Sequence, residues 1–193
     1  MKKVGKVIAA LLCVALVCGA FYYVKQRSDA AQNAEIELTE VQKLITKNLA
    51  KNYPATPREV IKLYNRIITC YYKEDYTDEE LEQLADQTWQ LFDEELQESN
   101  PKASYISLLR ADIANYESRD RYIAQSSVCD SEDVVYKTVD GEEVAYVTAS
   151  YFVREGKSYE KTYQQYVLRK DAEDNWKILG FYKIEGAASE DDE

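Results

Sequence analysis

Hydrophobic and polar residues along this chain fall into three regimes. From Val7 to Val24 the sequence VIAALLCVALVCGAFYYV is apolar without interruption. Between Ile36 and Tyr116 apolar residues recur at helical spacing, and from Tyr122 to Ile184 they alternate with period 2. The first regime predicts a membrane span, the second a set of amphipathic helices and the third an antiparallel sheet.

The apolar run of about 18 residues would rise about 27 Å as a helix, close to the hydrocarbon thickness of a bilayer. Lys2, Lys3 and Lys6 precede it, Tyr22 and Tyr23 stand where an aromatic belt belongs, and Lys25 and Arg27 follow. It reads as an uncleaved signal anchor. A cleaved signal peptide fits less well, because the bulky Phe21-Tyr22-Tyr23 follows Cys18-Gly19-Ala20. A lipoprotein also fits less well, because Leu12 and Val17 rather than small residues precede Cys13 and Cys18. The expected location is the cell membrane, crossed once, with the bulk of the chain extracytoplasmic.

The helical regime divides at start signals. Ile36, Val41, Leu44, Ile45 and Leu49 form the stripe of a helix expected over residues 35–52. Thr56-Pro57-Arg58-Glu59 is a capping-box sequence with Pro at the first helical position, opening a helix with Val60, Tyr64, Ile67, Ile68 and Tyr71 on one face. Thr77 followed by Asp78-Glu79-Glu80 opens another, with Leu81, Leu84, Ala85, Thr88, Phe92 and Leu96 inward. Asn100-Pro101 starts a fourth, running to about Ser118, with Ile106, Leu109, Ile113 and Tyr116 inward.

After Arg121 the period changes. Strands are expected over 122–129, 133–139, 144–154, 158–169 and 176–184, with Asp140-Gly141 and Glu155-Gly156 as turns. Ala145, Val147, Ala149, Tyr151 and Val153 hold alternate positions in one strand, as do Trp176, Ile178, Gly180, Tyr182 and Ile184 in another. Helices followed by a strand meander predict an α+β fold, with helices packed on one face of an antiparallel sheet and sequential strands as neighbours. The organisation expected is a cytoplasmic stub and anchor (1–27), a linker (28–33), one folded domain (34–184) and a disordered acidic tail (185–193).

Composition narrows the chemistry. The chain has 193 residues and no histidine, so the usual neutral-pH acid/base and the commonest metal ligand are missing. The net charge is −11, yet the first 27 residues hold five cations and no acid; the remainder carries 19 of the 24 cations and all 35 acids. A surface that acidic disfavours nucleic acid. The acid runs lack the spacing of a calcium loop, and no P-loop, GxSxG or GxGxxG is present, so neither metal nor cofactor is expected. The 17 tyrosines either pack and coat the sheet or line a pocket for a small ligand or a protein partner, with Tyr146, Tyr151, Tyr163, Tyr166 and Trp176 as the candidate lining. Cys70 and Cys129 are either two separate thiols or, in an oxidising compartment, a disulfide.

The stretch YQQYVLRKDAEDNWKILGFYKI resembles the terminal hairpin of the nuclear-transport-factor-2-like (cystatin-like, SnoaL-like) superfamily, and TPREVIKLYNRIITCYYKEDY resembles its opening helix. Residues 41–184 as a whole resemble an uncharacterised family of small, membrane-anchored bacterial proteins of Gram-positive type, through NYPATPREVIKLYNRI, YTDEELEQLADQ and VCDSEDVVYKTVDGEEVAYVTASYFVREGKSYEKTYQQYVLRKD. The resemblance implies a curved sheet wrapped around helices as a cone. It carries no activity. Three functions are expected as alternatives: a non-enzymatic tethered binding or scaffold domain; an isomerase-type enzyme using a tyrosine and a carboxylate inside the cone; or a structural subunit of an envelope or secretion machine.

Overall fold

The computed structural model of this chain describes residues 38–185. The apolar run at residues 7–24, the linker and the acidic tail after Glu185 lie outside the described residues. Among those described, no helix is long and apolar enough to cross a membrane. The chain divides between Leu38 and Thr39, and the second unit, from Thr39 onward, carries the helices and the sheet.

One strand is the template for the sheet. β3 (Glu142–Glu155) pairs antiparallel with β4 (Ser158–Lys170) from Val144↔Arg169 to Glu155↔Ser158. On its other edge β3 carries two shorter strands end to end. β1 (Arg121–Val128) covers Ala149 to Glu155, and β2 (Val135–Val139) covers Glu142 to Tyr146. β5 (Trp176–Ile184) completes the path β1-β3-β4-β5. The expectation that sequential strands are neighbours therefore holds for the last three connections and fails for the first. β3 is longer than β1 or β2, and a 3-10 turn at Ser131–Asp133 lets the chain continue along the same edge instead of reversing. Asp140 (φ 52°) and Gly141 (φ 89°) both adopt the left-handed region, as a primed two-residue turn requires, and Gly156 (φ 56°) starts the β3–β4 turn.

Among the described residues there are five helices: α1 (Glu40–Ile45), α2 (Pro57–Lys73), α3 (Asp78–Leu91), α4 (Glu94–Ser99) and α5 (Lys102–Ser118); α2 to α5 pack on the sheet, and α1 packs on α2 and α3. The fold is α+β, with helices packed against a curved antiparallel sheet. Two helix expectations need correcting. α1 spans six residues rather than 35–52. Its start is fixed by a reciprocal box between Thr39 and Gln42, and beyond its end the Gln87 amide takes the carbonyls of Ile45 and Lys47. The stripe expected to run unbroken from Leu81 to Leu96 is two helices. Between them Phe92 bridges to Ile178 and the Asp93 N–H donates to the Ile178 carbonyl at 2.9 Å, so β5 captures backbone that a continuous helix would have used.

The two threonine caps expected from the sequence, Thr56 and Thr77, both form. Thr77 and Glu80 make a complete capping box. At Thr56 only half forms, since Glu59 reaches back to the N–H of Ala55 at 3.0 Å rather than to that of Thr56. α2 is the central helix, with Val60, Ile61, Tyr64, Ile67 and Tyr71 buried in one core with Ala145, Val147, Ala149, Tyr151 and Val153 of β3 and Tyr166 and Leu168 of β4. Fully burying each large aliphatic side chain contributes about 1.5–3 kcal/mol.

The period-2 reading of β5 holds only for its first half. Ile178 pairs with Leu168 but Gly180 pairs with Val167, leaving Leu179 as an extra residue. This bulge reverses the phase. Phe181 thus packs on Tyr166 and Tyr64, while Tyr182, expected to face inward with Ile178, is outside and donates to Gln165 at 2.5 Å.

Candidate functional site

The concave side of the sheet is not closed. A cavity of about 290 Å³ opens where α2 and α5 diverge from β1, β3 and β4. Its helical wall is made by residues four apart: Tyr64, Ile68 and Tyr72 on α2, and Asp112 and Tyr116 on α5. That spacing stacks side chains on one helix face. Its sheet wall is made by alternate residues: Tyr151 and Val153 of β3, Thr162, Gln164 and Tyr166 of β4, with Ile123 and Phe181 at the margins.

Hydroxyls organise the floor. The Tyr151 hydroxyl lies 2.6 Å from the Tyr166 hydroxyl and 2.6 Å from Oδ1 of Asn65, while that of Tyr166 lies 2.7 Å from Oε1 of Gln164. Asn65 is 3% exposed and its Nδ2 has no partner among the described residues. Two hydroxyl protons cannot fill three contacts that end on an acceptor oxygen at both sides. Turning either terminal amide supplies the third proton: with Gln164 turned, Nε2 donates to Tyr166, Tyr166 to Tyr151, and Tyr151 to Asn65, and with Asn65 turned the direction reverses. Burial pushes the Tyr166 phenol well above its usual pKa, helped by the neighbouring rings of Tyr64 and Tyr151. It does the same to Tyr151, against the pull of its two hydrogen bonds. Both stay neutral at physiological pH.

At the rim, Tyr72 donates to Oδ2 of Asp112 at 2.6 Å and stacks on Tyr116, centroids 4.1 Å apart. Burial, then the bond to Asp112 and its charge, push the Tyr72 phenol up. The Arg121 guanidinium sits over the Tyr116 ring at 4.9 Å. Glu155 and Glu160 hold that guanidinium at 3.9 and 3.5 Å.

Of the five residues predicted to line a pocket, Tyr151 and Tyr166 do. Tyr146 and Tyr163 belong to the opposite face, where Lys137 covers Tyr146 and Lys161 covers Tyr163. Trp176 is buried at the other end of the sheet, against Tyr136 and beneath Lys170. The helix-borne Tyr72, Asp112 and Tyr116 escape a reading centred on the strands, although the i, i+4 pairs 68/72 and 112/116 are visible in the sequence.

The structure places Cys70 and Cys129 as two separate thiols. Arg58 near the start of α2 donates to the Cys129 carbonyl at 2.6 Å. Cys70 is 12 residues further along the same helix, a rise of about 18 Å, and a disulfide needs Cα atoms within about 7 Å. Burial pushes the Cys70 thiol up to about 12. Among the described residues, no group of three or more acidic or cysteine side chains is placed to hold a metal ion.

These features define an α+β domain with an aromatic, hydroxyl-floored concave pocket. The chain belongs to the family described as a domain of unknown function, DUF6715, whose sequence profile matches residues 1–181. No curated protein matches it.

Proposed function

We propose that this chain is a membrane-tethered binding module: Val7–Val24 anchors it, the domain stands on the extracytoplasmic side, and the concave pocket takes a small ligand without transforming it. The nuclear-transport-factor-2-like cone is the fold this reading assumes. The observation that carries it is the hydroxyl chain Asn65–Tyr151–Tyr166–Gln164 on the floor of an aromatic cavity. Such a floor is neutral at working pH and able to reverse its polarity, which suits reversible hydrogen bonding to a guest. It offers no activated nucleophile, and with no histidine in the chain the commonest partner for raising one is absent.

One observation favours the enzyme reading as runner-up: Tyr72 and Asp112 pair at 2.6 Å on the rim, a phenol and a carboxylate within reach of one guest. A fragment screen by ligand-observed NMR on the full-length chain in a nonionic detergent tests the binding proposal. Hits should compete with one another, and Ile68→Trp, which fills the cavity, should abolish them. Hits that survive the filled cavity, or none at all, would count against it.

A further inference from the structure

The pocket's walls differ from its floor in the kind of guest they suit. Six aromatic side chains line the cavity (Tyr64, Tyr72, Tyr116, Tyr151, Tyr166 and Phe181); Tyr72 and Tyr116 cover one face of each other, and Phe181 is the most exposed of the six. Among the described residues its one charged lining group is the carboxylate of Asp112, and neither lysine nor arginine lines it. Aromatic faces carry negative potential, and a cation within about 6 Å of a ring centroid is attracted to it. The Arg121 guanidinium sits over the Tyr116 ring, does not line the cavity and is held by Glu155 and Glu160. Asp112 has one oxygen on Tyr72 and no ion-pair partner among the described residues. The volume, about 290 Å³, sits at the small end of ligand pockets, which run from about 300 to 1,000 Å³.

We propose that this cavity binds a small organic cation, an alkylated ammonium bearing a hydrogen-bonding arm. The ammonium lies among the rings beside Asp112, and the arm reaches the hydroxyl floor. A fully alkylated ammonium has no N–H to satisfy, so aromatic side chains replace its weak hydration at little loss, whereas an anion would meet the Asp112 carboxylate with no lysine or arginine in the lining to offset it. The excess of acids over cations beyond residue 27 raises the local concentration of any cation near the domain.

This inference rests on the binding proposal, and its test separates the two. The full-length chain is titrated by calorimetry with choline and with 3,3-dimethyl-1-butanol, the neutral carbon isostere of the same shape. Choline is expected to bind about tenfold or more tightly than the isostere, with that preference lost in Asp112→Asn and choline affinity reduced several-fold in Tyr72→Leu. Circular dichroism confirms that each variant is folded, and Tyr151→Phe, which alters the floor, should weaken choline and its isostere alike. Equal affinities, or a preference for the isostere, would overturn the cation proposal and leave the pocket a binding site. Fragment hits without choline binding would do the same, and no binding of any compound would sink both readings. In chain reconstituted into liposomes, loss of choline binding in phosphatidylcholine but not phosphatidylglycerol identifies a lipid headgroup as the source, and retention in both identifies a free amine; either supports the proposal.

Discussion

The hydroxyl oxygens of Tyr151 and Tyr166, on adjacent strands, lie 2.6 Å apart with an amide at each outer end. Removing one hydroxyl does not weaken both ends equally. Tyr151→Phe strands the buried Asn65 Oδ1, and an unsatisfied buried acceptor costs about 1–3 kcal/mol. Tyr166→Phe leaves Tyr151 bonded to Asn65 and lets the half-buried Gln164 turn to water, so about 1 kcal/mol is expected. Urea unfolding of the two variants and the double variant should give that order and a coupling above about 0.5 kcal/mol.

Arg169 pairs with a nearly buried carboxylate. It donates to Oδ1 of Asp93 at 2.6 Å, and the Asp93 side chain is 5% exposed. Arg169→Met leaves that charge without a partner and should cost about 3 kcal/mol, the low end for breaking a buried pair because Arg169 itself reaches solvent. Adding Asp93→Asn should recover part of the loss, since asparagine removes the charge and keeps the cap on α4 that Asp93 makes through the Glu95 N–H. Chemical denaturation of the single and double variants reads both effects.

Alkaline pH should be the weak side of this fold. Cys70 is pushed up to about 12 and Tyr76 to about 12, while Tyr72, Tyr151 and Tyr166 are also raised, in each case chiefly by burial. In these groups the native state holds the proton that the unfolded chain gives up near pH 9–10. Their contribution is complete below the unfolded pKa and is lost as pH rises toward the folded one. Each adds a slope of at most about 1.4 kcal/mol per pH unit, less for the partly exposed Tyr76. Because the chain has no histidine, stability measured by denaturant should be flat from about pH 6 to 8 and fall steeply above about pH 9.

The two domain cysteines should react at different rates. Cys129 is half-buried at the end of β1, whereas Cys70 is buried in α2 with its thiol pushed up to about 12. Iodoacetamide at pH 8 should label Cys129 well before Cys70, because thiolate is the reactive form and access limits the rest. Peptide mapping by mass spectrometry distinguishes these sites from Cys13 and Cys18. Equal labelling of Cys70 and Cys129 would mean that α2 opens on the labelling timescale.

Much of the fold was legible in the sequence, and the failures share a cause. Strand positions and helix starts are local signals, and Thr77-Asp78-Glu79-Glu80 or Asp140-Gly141 specify their structures within a few residues. The end of α1, the break at Phe92-Asp93 and the bulge at Leu179 are imposed by distant partners: Gln87 for the first, and the fit between β5 and its neighbours for the other two. The site divides similarly. Tyr146 and Tyr151 differ in parity on one strand, so the alternation that put Tyr151 inward already put Tyr146 outside. The meeting of Tyr72 with Asp112 needed the tertiary approach of α2 to α5, which neither segment encodes alone.

The end-to-end docking of β1 and β2 on one edge of β3 also sets an order of assembly. The β2–β3–β4–β5 hairpins close through short turns, so they can form with little loss of chain entropy. β1 instead reaches Ala149–Glu155 across β2 and its hairpin, and it must arrive with α2 packed behind it. Substitutions in the β3–β4 hairpin should therefore slow folding, while those in β1, such as Ile123→Val, should mainly speed unfolding. The cavity, bounded by β1 and α2 as well as by the hairpins, would then be among the last features to form and the first to open.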